Sequence, residues 1–145
     1  MRSLLFAILL CLVVVFAGCS KNKQVKGKVL LTDGTPVARG HVVFTNDVFS
    51  ANGEIKGDGS YVMGSLKAND GLPPGEYTVY ITGATQMGKS VEFQTLGPGG
   101  KMQKSTIPSL TPVIAEKYTS AETSDIKCKV EKSMTFDIKV EPAGQ

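Results

Sequence analysis

The chain has 145 residues and carries 16 Lys and Arg against 13 Asp and Glu, for a formal net charge of +3. So small and scattered an excess gives no argument for nucleic acid as a partner. The length supports one domain with an adequate but modest core.

Residues 4–16 form an apolar run behind Arg2. Thirteen residues fall short of the roughly twenty that a helix needs to cross the hydrocarbon core of a bilayer. With a positive residue before it and Ala17-Gly18 after it, the run reads as the h-region of a signal peptide. Phe16-Ala17-Gly18-Cys19 resembles the lipobox of bacterial lipoproteins, in which the cysteine is joined to a diacylglyceryl group and becomes the first residue of the mature chain. That resemblance implies a leader at 1–18 that is removed, a lipidated tether at 19–24 and a membrane anchor at Cys19. Ser20 behind the cysteine implies export to the outer membrane in a Gram-negative type of cell. The alternative is an ordinary secretory signal in which Cys19 is incidental.

Loss of Arg2 with the leader turns +3 into +2 from side chains. Lys21, Lys23, Lys26 and Lys28 follow the anchor, either against anionic head groups or as a solvated tether and strand face. Of three cysteines, Cys11 leaves with the leader, Cys19 is alkylated and only Cys128 stays a thiol, so an internal disulfide is excluded.

From Val25 the pattern has period two. Val25, Gly27, Val29 and Leu31 alternate with Lys26, Lys28, Leu30 and Thr32, the signature of a strand with one buried face. Asp33-Gly34 closes it, and a second strand follows at 41–45. Residues 53–56 and 60–66 are expected to form a hairpin about Gly57-Asp58-Gly59, with Ile55, Tyr61 and Met63 on one side. A cluster of turn formers at 69–75 leads into 76–82, where Tyr77, Val79 and Ile81 face one way. The clearest alternations come last, at 125–131 and 134–141. Seven short strands separated by turns predict an antiparallel β-sandwich over 25–141 with Phe44, Tyr77, Val79, Phe136 and Ile138 in its core.

The GKV, DGTPV and HVVF of residues 26–44, DGSY at 58–61 and LPPGEYTV at 72–79 resemble the transthyretin-like or carboxypeptidase-regulatory-like domain. The nearest resemblance is to small lipoproteins of planctomycetes that carry it, supported by Pro112-Val113-Ile114, Lys117-Tyr118 and Thr123-Ser124. It implies an all-β Greek-key sandwich. A fold of this kind hosts unrelated functions, so it implies little about activity.

Three sets of residues qualify as candidate sites. His41, the single histidine, has Arg39 nearby. The transthyretin-related hydrolases use several histidines and a C-terminal Tyr-Arg-Gly-Ser, whereas this chain ends Glu141-Pro142-Ala143-Gly144-Gln145. Asp58, Asn69 and Asp70 offer oxygen ligands, but without the spacing of a calcium loop, and beside glycine they read as turn formers. Tyr80 and Tyr118 are candidate rings for stacking a sugar. Cys128 falls on an inward face and reads as a small buried hydrophobe. These residues point to a non-catalytic envelope module without metal or cofactor, whose partner is an envelope protein or a glycan. A carbohydrate- or peptidoglycan-binding module is the alternative, and a small-molecule hydrolase a distant third.

Residues 83–111 interrupt the strand order. Gly88, Gly97, Pro98, Gly99, Gly100 and Pro108 predict a long loop in which only 91–96 pairs as a short edge strand. Connections of more than about fifteen residues are usually functional or disordered. This one is expected to be mobile and to carry partner specificity, with disorder lacking any function as the alternative.

Overall fold

A computed structural model describes residues 22–64, 67 and 69–144. The expected leader at 1–18 and the anchor Cys19 lie outside them. Among the described residues the fold is all-β, with ten strands and one turn of 3-10 helix at Glu116–Tyr118.

Strands β1 (Val25–Leu31), β4 (Ser60–Val62), β9 (Met134–Thr135) and β10 (Ile138–Val140) form one sheet, ordered β10-β1-β4 with β9 also on β1. A second sheet, ordered β3-β2-β5-β8, contains β2 (His41–Thr45), β3 (Ser50–Glu54), β5 (Gly75–Thr82) and β8 (Lys127–Val130). The third is a two-stranded hairpin of β6 (Thr85–Leu96) and β7 (Met102–Pro112). Val25, Val29, Tyr61, Ile138 and Val140 of the first sheet join Val42, Phe44, Tyr77, Val79, Ile81, Cys128 and Val130 of the second in one buried cluster. Each large apolar side chain so buried contributes about 1.5 to 3 kcal/mol.

The period-two pattern places these residues, because alternate side chains of a strand point to opposite faces. Tyr77, Val79 and Ile81 are buried, and Glu76 and Thr82 are exposed. Four of the five expected core residues are fully buried, whereas Phe136 is partly buried and packs against the cluster. Its ring meets that of Phe44 edge-on at 6.0 Å. Among the described residues, no buried side-chain nitrogen or oxygen lacks a partner. The Tyr77 hydroxyl donates to the Pro73 carbonyl at 2.8 Å, the Tyr61 hydroxyl to that of Phe136 and the Ser124 hydroxyl to that of Val79.

Of four expectations, the first holds and three are corrected. The chain around 57–59 makes a tight turn, closed by Lys56 N–H to the Ser60 carbonyl and Gly59 N–H to that of Lys56. Its two arms stay paired in one antiparallel register, with Asn52 and Gly64 exchanging backbone bonds at 3.2 and 3.0 Å, while their outer edges join β2 and β1. Gly53 allows the arms to approach so closely, for a Cβ there would lie 2.6 Å from the Val62 carbonyl oxygen. Secondly, pairing is not antiparallel throughout: β9 and β10 run parallel to β1. Parallel neighbours need a long crossover connection, which most of the domain here provides. Thirdly, the final run is broken at Phe136-Asp137, where the Asp137 carboxylate takes the Lys28 N–H at 2.9 Å. The fourth concerns 83–111, expected to be a long loop. It is the β6–β7 hairpin, with Gly97-Pro98-Gly99-Gly100 as its turn.

Candidate functional site

The sequence candidates do not converge. His41 is exposed at the start of β2, between Glu54 of β3 and Thr82 of β5. Asp58 caps its own turn, accepting from Ser60 N–H at 3.0 Å and Ser60 hydroxyl at 2.6 Å. These bonds, the side-chain one foremost, hold its carboxyl below the usual range. Asp70 accepts from Lys67 N–H at 3.1 Å, and its neighbour Asn69 sits at φ 64°. Asp58 adjoins the part of β1 around Lys28, whereas the 69–71 turn lies against Lys23. Five residues of extended chain, about 16 Å, separate those positions.

Tyr118, a candidate ring for stacking a sugar, is buried instead, with Lys117 Nζ 4.7 Å from its ring centroid. Lys117 also bonds Glu141 at 2.8 Å, a contact that draws the Glu141 carboxyl below its ordinary value. Around this pair, Ala115 N–H reaches the Glu141 carbonyl and Ala143 N–H that of Val113, so 113–115 is laced to the C-terminal segment. The Pro-Val-Ile and Lys-Tyr signals thus serve structure. Tyr80 is half-buried beside Val43. Cys128 is buried opposite Tyr77, and burial pushes its thiol pKa up, away from the reactive thiolate.

One open depression of about 630 Å³ lies at the end of β2, β5 and β8, with Asp47, Glu76, Lys127 and Lys129 on its rim. Lys127 is committed to the Thr78 hydroxyl at 2.7 Å and Lys129 to Glu131 at 2.9 Å. The rim carries both charges, with Glu76 directly across from Lys129.

The β6–β7 hairpin is the feature that packing does not explain. It pairs along ten positions, from Thr85↔Pro112 to Leu96↔Met102, with one register shift between Met87 and Ser90. At about 3.4 Å per residue it extends roughly 40 Å. An isolated two-stranded hairpin is only marginally stable in water. Yet this one exposes Met87, Val91, Phe93, Leu96, Met102, Ile107 and Leu110, with Met87 75% and Leu96 74% accessible. Register sorts them into opposed pairs, Met87 with Leu110, Val91 with Ile107 and Leu96 with Met102. Both faces are therefore apolar in patches, relieved by a loose Lys104–Glu92 contact at 3.9 Å.

The root is rigid: buried Ala84 accepts from Val113 N–H at 3.1 Å, and Ile114 is buried behind it. A cleft beside the root is lined by Leu31, Gln86 and Pro112. Leu31 ends β1, whereas the chain enters at the other end, where Lys23 pairs with Leu72. The hairpin consequently leaves at the end of β1 opposite Lys23, about 20 Å away along the strand. Sequence reasoning found 91–96 but missed its partner, because Pro108 reads as a strand breaker. Two runs of similar length flanking Gly-Pro-Gly-Gly were the available signal. Comparison with known protein families, curated proteins and solved structures finds no match.

Proposed function

We propose that this chain is a non-catalytic binding module of the cell envelope, lipid-anchored at Cys19 in the outer membrane, that presents the β6–β7 hairpin to an envelope partner. The exposed apolar pairs of that hairpin carry the reading, since large uncovered apolar surface on a folded chain marks an interaction site. The leader pattern of residues 2–19 supports the anchor. A Greek-key sandwich of transthyretin-like type is supported by the strand orders β10-β1-β4 and β3-β2-β5-β8, with a chain that changes sheet between β1 and β2, β3 and β4, β4 and β5, and β8 and β9. The chain enters the described body at the Lys23 end of β1 and the hairpin leaves at the Leu31 end, which supports a binding element presented away from the anchored side. The glycan reading is weakened, because burial of Tyr118 removes one of its two rings.

Replacing residues 86–111 with a short Gly-Ser turn tests this reading. The shortened chain is expected to keep its β spectrum and to lose the envelope cross-links that the intact chain forms in living cells. Undiminished cross-links would place the binding surface elsewhere.

A further inference from the structure

The reading of β6–β7 as the binding element can be taken further, to its occupant. The two outer edges of the hairpin differ. Gly97 N–H bonds the Lys101 carbonyl at 2.9 Å at the turn, and Val113 N–H bonds that of Ala84 at 3.1 Å at the root. In an antiparallel ladder, bonded and non-bonded positions alternate, and a residue at a non-bonded position turns its N–H and C=O outward. Counting from the turn, Leu96, Gln94, Glu92 and Ser90 face outward on β6, and Met102, Lys104, Thr106 and Pro108 on β7. Counting from the root adds Thr85 and Met87 on β6, beyond the register shift, and Leu110 and Pro112 on β7. Proline has no N–H, so the β7 edge is interrupted at 108 and 112. The β6 edge offers four outward N–H and four C=O groups over residues 90–96 without a proline. Proline is a standard guard against edge-to-edge pairing. Here one edge is guarded and the other is open.

The open edge is complementary to itself. Two antiparallel β6 strands related by a two-fold axis through Phe93 place Ser90 opposite the second copy's Leu96, and Glu92 opposite its Gln94. All four outward positions of residues 90–96 on each strand are then used. Centring on Glu92 would set two carboxylates against each other, and centring on Gln94 would oppose Glu92 to Leu96. Either shift uses three positions instead of four. Among these registers, the one centred on Phe93 alone satisfies the whole 90–96 stretch without opposing like charges. It also sets the two Phe93 rings in the closely spaced position, flanked by Val91 and Thr95 pairs, where aromatic neighbours add to sheet stability. Both copies then present Val91, Phe93 and Ile107 on the same face, as a continuous apolar stripe.

We infer that β6 is a homodimerisation strand: two copies of this chain join edge to edge over residues 90–96 into a four-stranded antiparallel sheet, β7-β6-β6-β7, centred on Phe93. Such an isologous contact closes on itself and leaves the guarded β7 edges outermost. The two roots lie roughly 50 Å apart, so the dimer is elongated.

Sedimentation of the full-length chain in density-matched detergent, from micromolar to millimolar concentration, reads the association directly. Gln94→Pro removes one outward N–H from β6 and no bond of the β6–β7 ladder, and Thr106→Pro does the same on β7. The wild type and Thr106→Pro are expected to dimerise alike, with Gln94→Pro weaker by about tenfold or more. Phe93→Cys is expected to give a 93-to-93 disulfide on oxidation, identified by peptide mass spectrometry, because paired Cα atoms there fall within disulfide reach. This cross-link keeps the test decisive if a proline variant fails to fold. A wild type that stays monomeric, prolines that act alike, or a Phe93→Cys chain that yields no such disulfide overturns the inference. A monomer whose envelope cross-links still vanish on hairpin replacement overturns self-pairing alone and leaves the binding reading standing. A dimer that survives hairpin replacement, together with unchanged cross-links, overturns both.

Discussion

Tyr61 should make this protein alkali-sensitive in a way that one atom controls. The side chain is 1% accessible, and its hydroxyl donates to the Phe136 carbonyl. Burial first, and then the negative charges of Cys128 and Asp137, hold the phenol far above its ordinary value. In the unfolded chain a tyrosine titrates near 10. Above that pH the unfolded state releases a proton that the folded state retains, so stability falls as pH rises. The contribution is complete below pH 10, and its loss reaches about 1.4 kcal/mol at pH 11. Tyr61→Phe removes both the bond and the titration. At pH 7 it should cost about 1.5 kcal/mol for the lost hydrogen bond. By pH 11 the wild type has surrendered a similar amount, and the two proteins should have nearly equal stability. Tyr77 is also raised by burial, but it is present in both chains and cancels. Urea titrations of the two proteins at pH 7 and pH 11, followed by far-ultraviolet circular dichroism, measure the gap. A gap that stays constant between the two pH values would mean that the Tyr61 hydroxyl reaches solvent, and the reasoning would fail.

Phe44 is fully buried against Tyr77 and Phe136, with ring centroids at 6.1 and 6.0 Å. Phe44→Ala should lower the unfolding free energy by about 3 to 5 kcal/mol in the same titration. Gly27 lies under the crossing of β1 and the final segment, where an added Cβ would overlap the Phe136 carbonyl. Gly27→Ala should therefore cost about 2 to 3 kcal/mol through forced separation of the strands, and an unchanged urea midpoint would contradict that contact. Cys128 is 4% accessible with a raised thiol pKa, so it should react with a thiol reagent in native buffer far more slowly than in urea. Equal rates would show that β8 opens freely.

Much of the body was legible in the residues themselves. Val25, Val29, Tyr77, Val79, Ile81, Cys128 and Val130 are buried where a period of two puts them, because alternation along a strand is a local property that needs no knowledge of the partner. The turns at Asp33-Gly34 and Asp58-Gly59 were equally local: each aspartate takes backbone N–H groups two residues on, and Gly34 and Gly59 adopt positive φ. Tertiary structure decided which strands meet. The hairpin about 57–59 forms, but nothing in its residues says that one arm joins β2 and the other β1, and nothing in 134–140 says that it lies parallel to β1. Those choices depend on where the other sheet's apolar face lies, a long-range condition. The β6–β7 hairpin shows the same limit from the other side. Pro108 argues against a strand only if its nitrogen must bond a neighbour. Once β6 occupies the inner side of β7, position 108 faces outward and the proline costs the ladder nothing. Sequence determined the strand faces and the turns, whereas only pairing in three dimensions could decide which backbone groups were left at an edge.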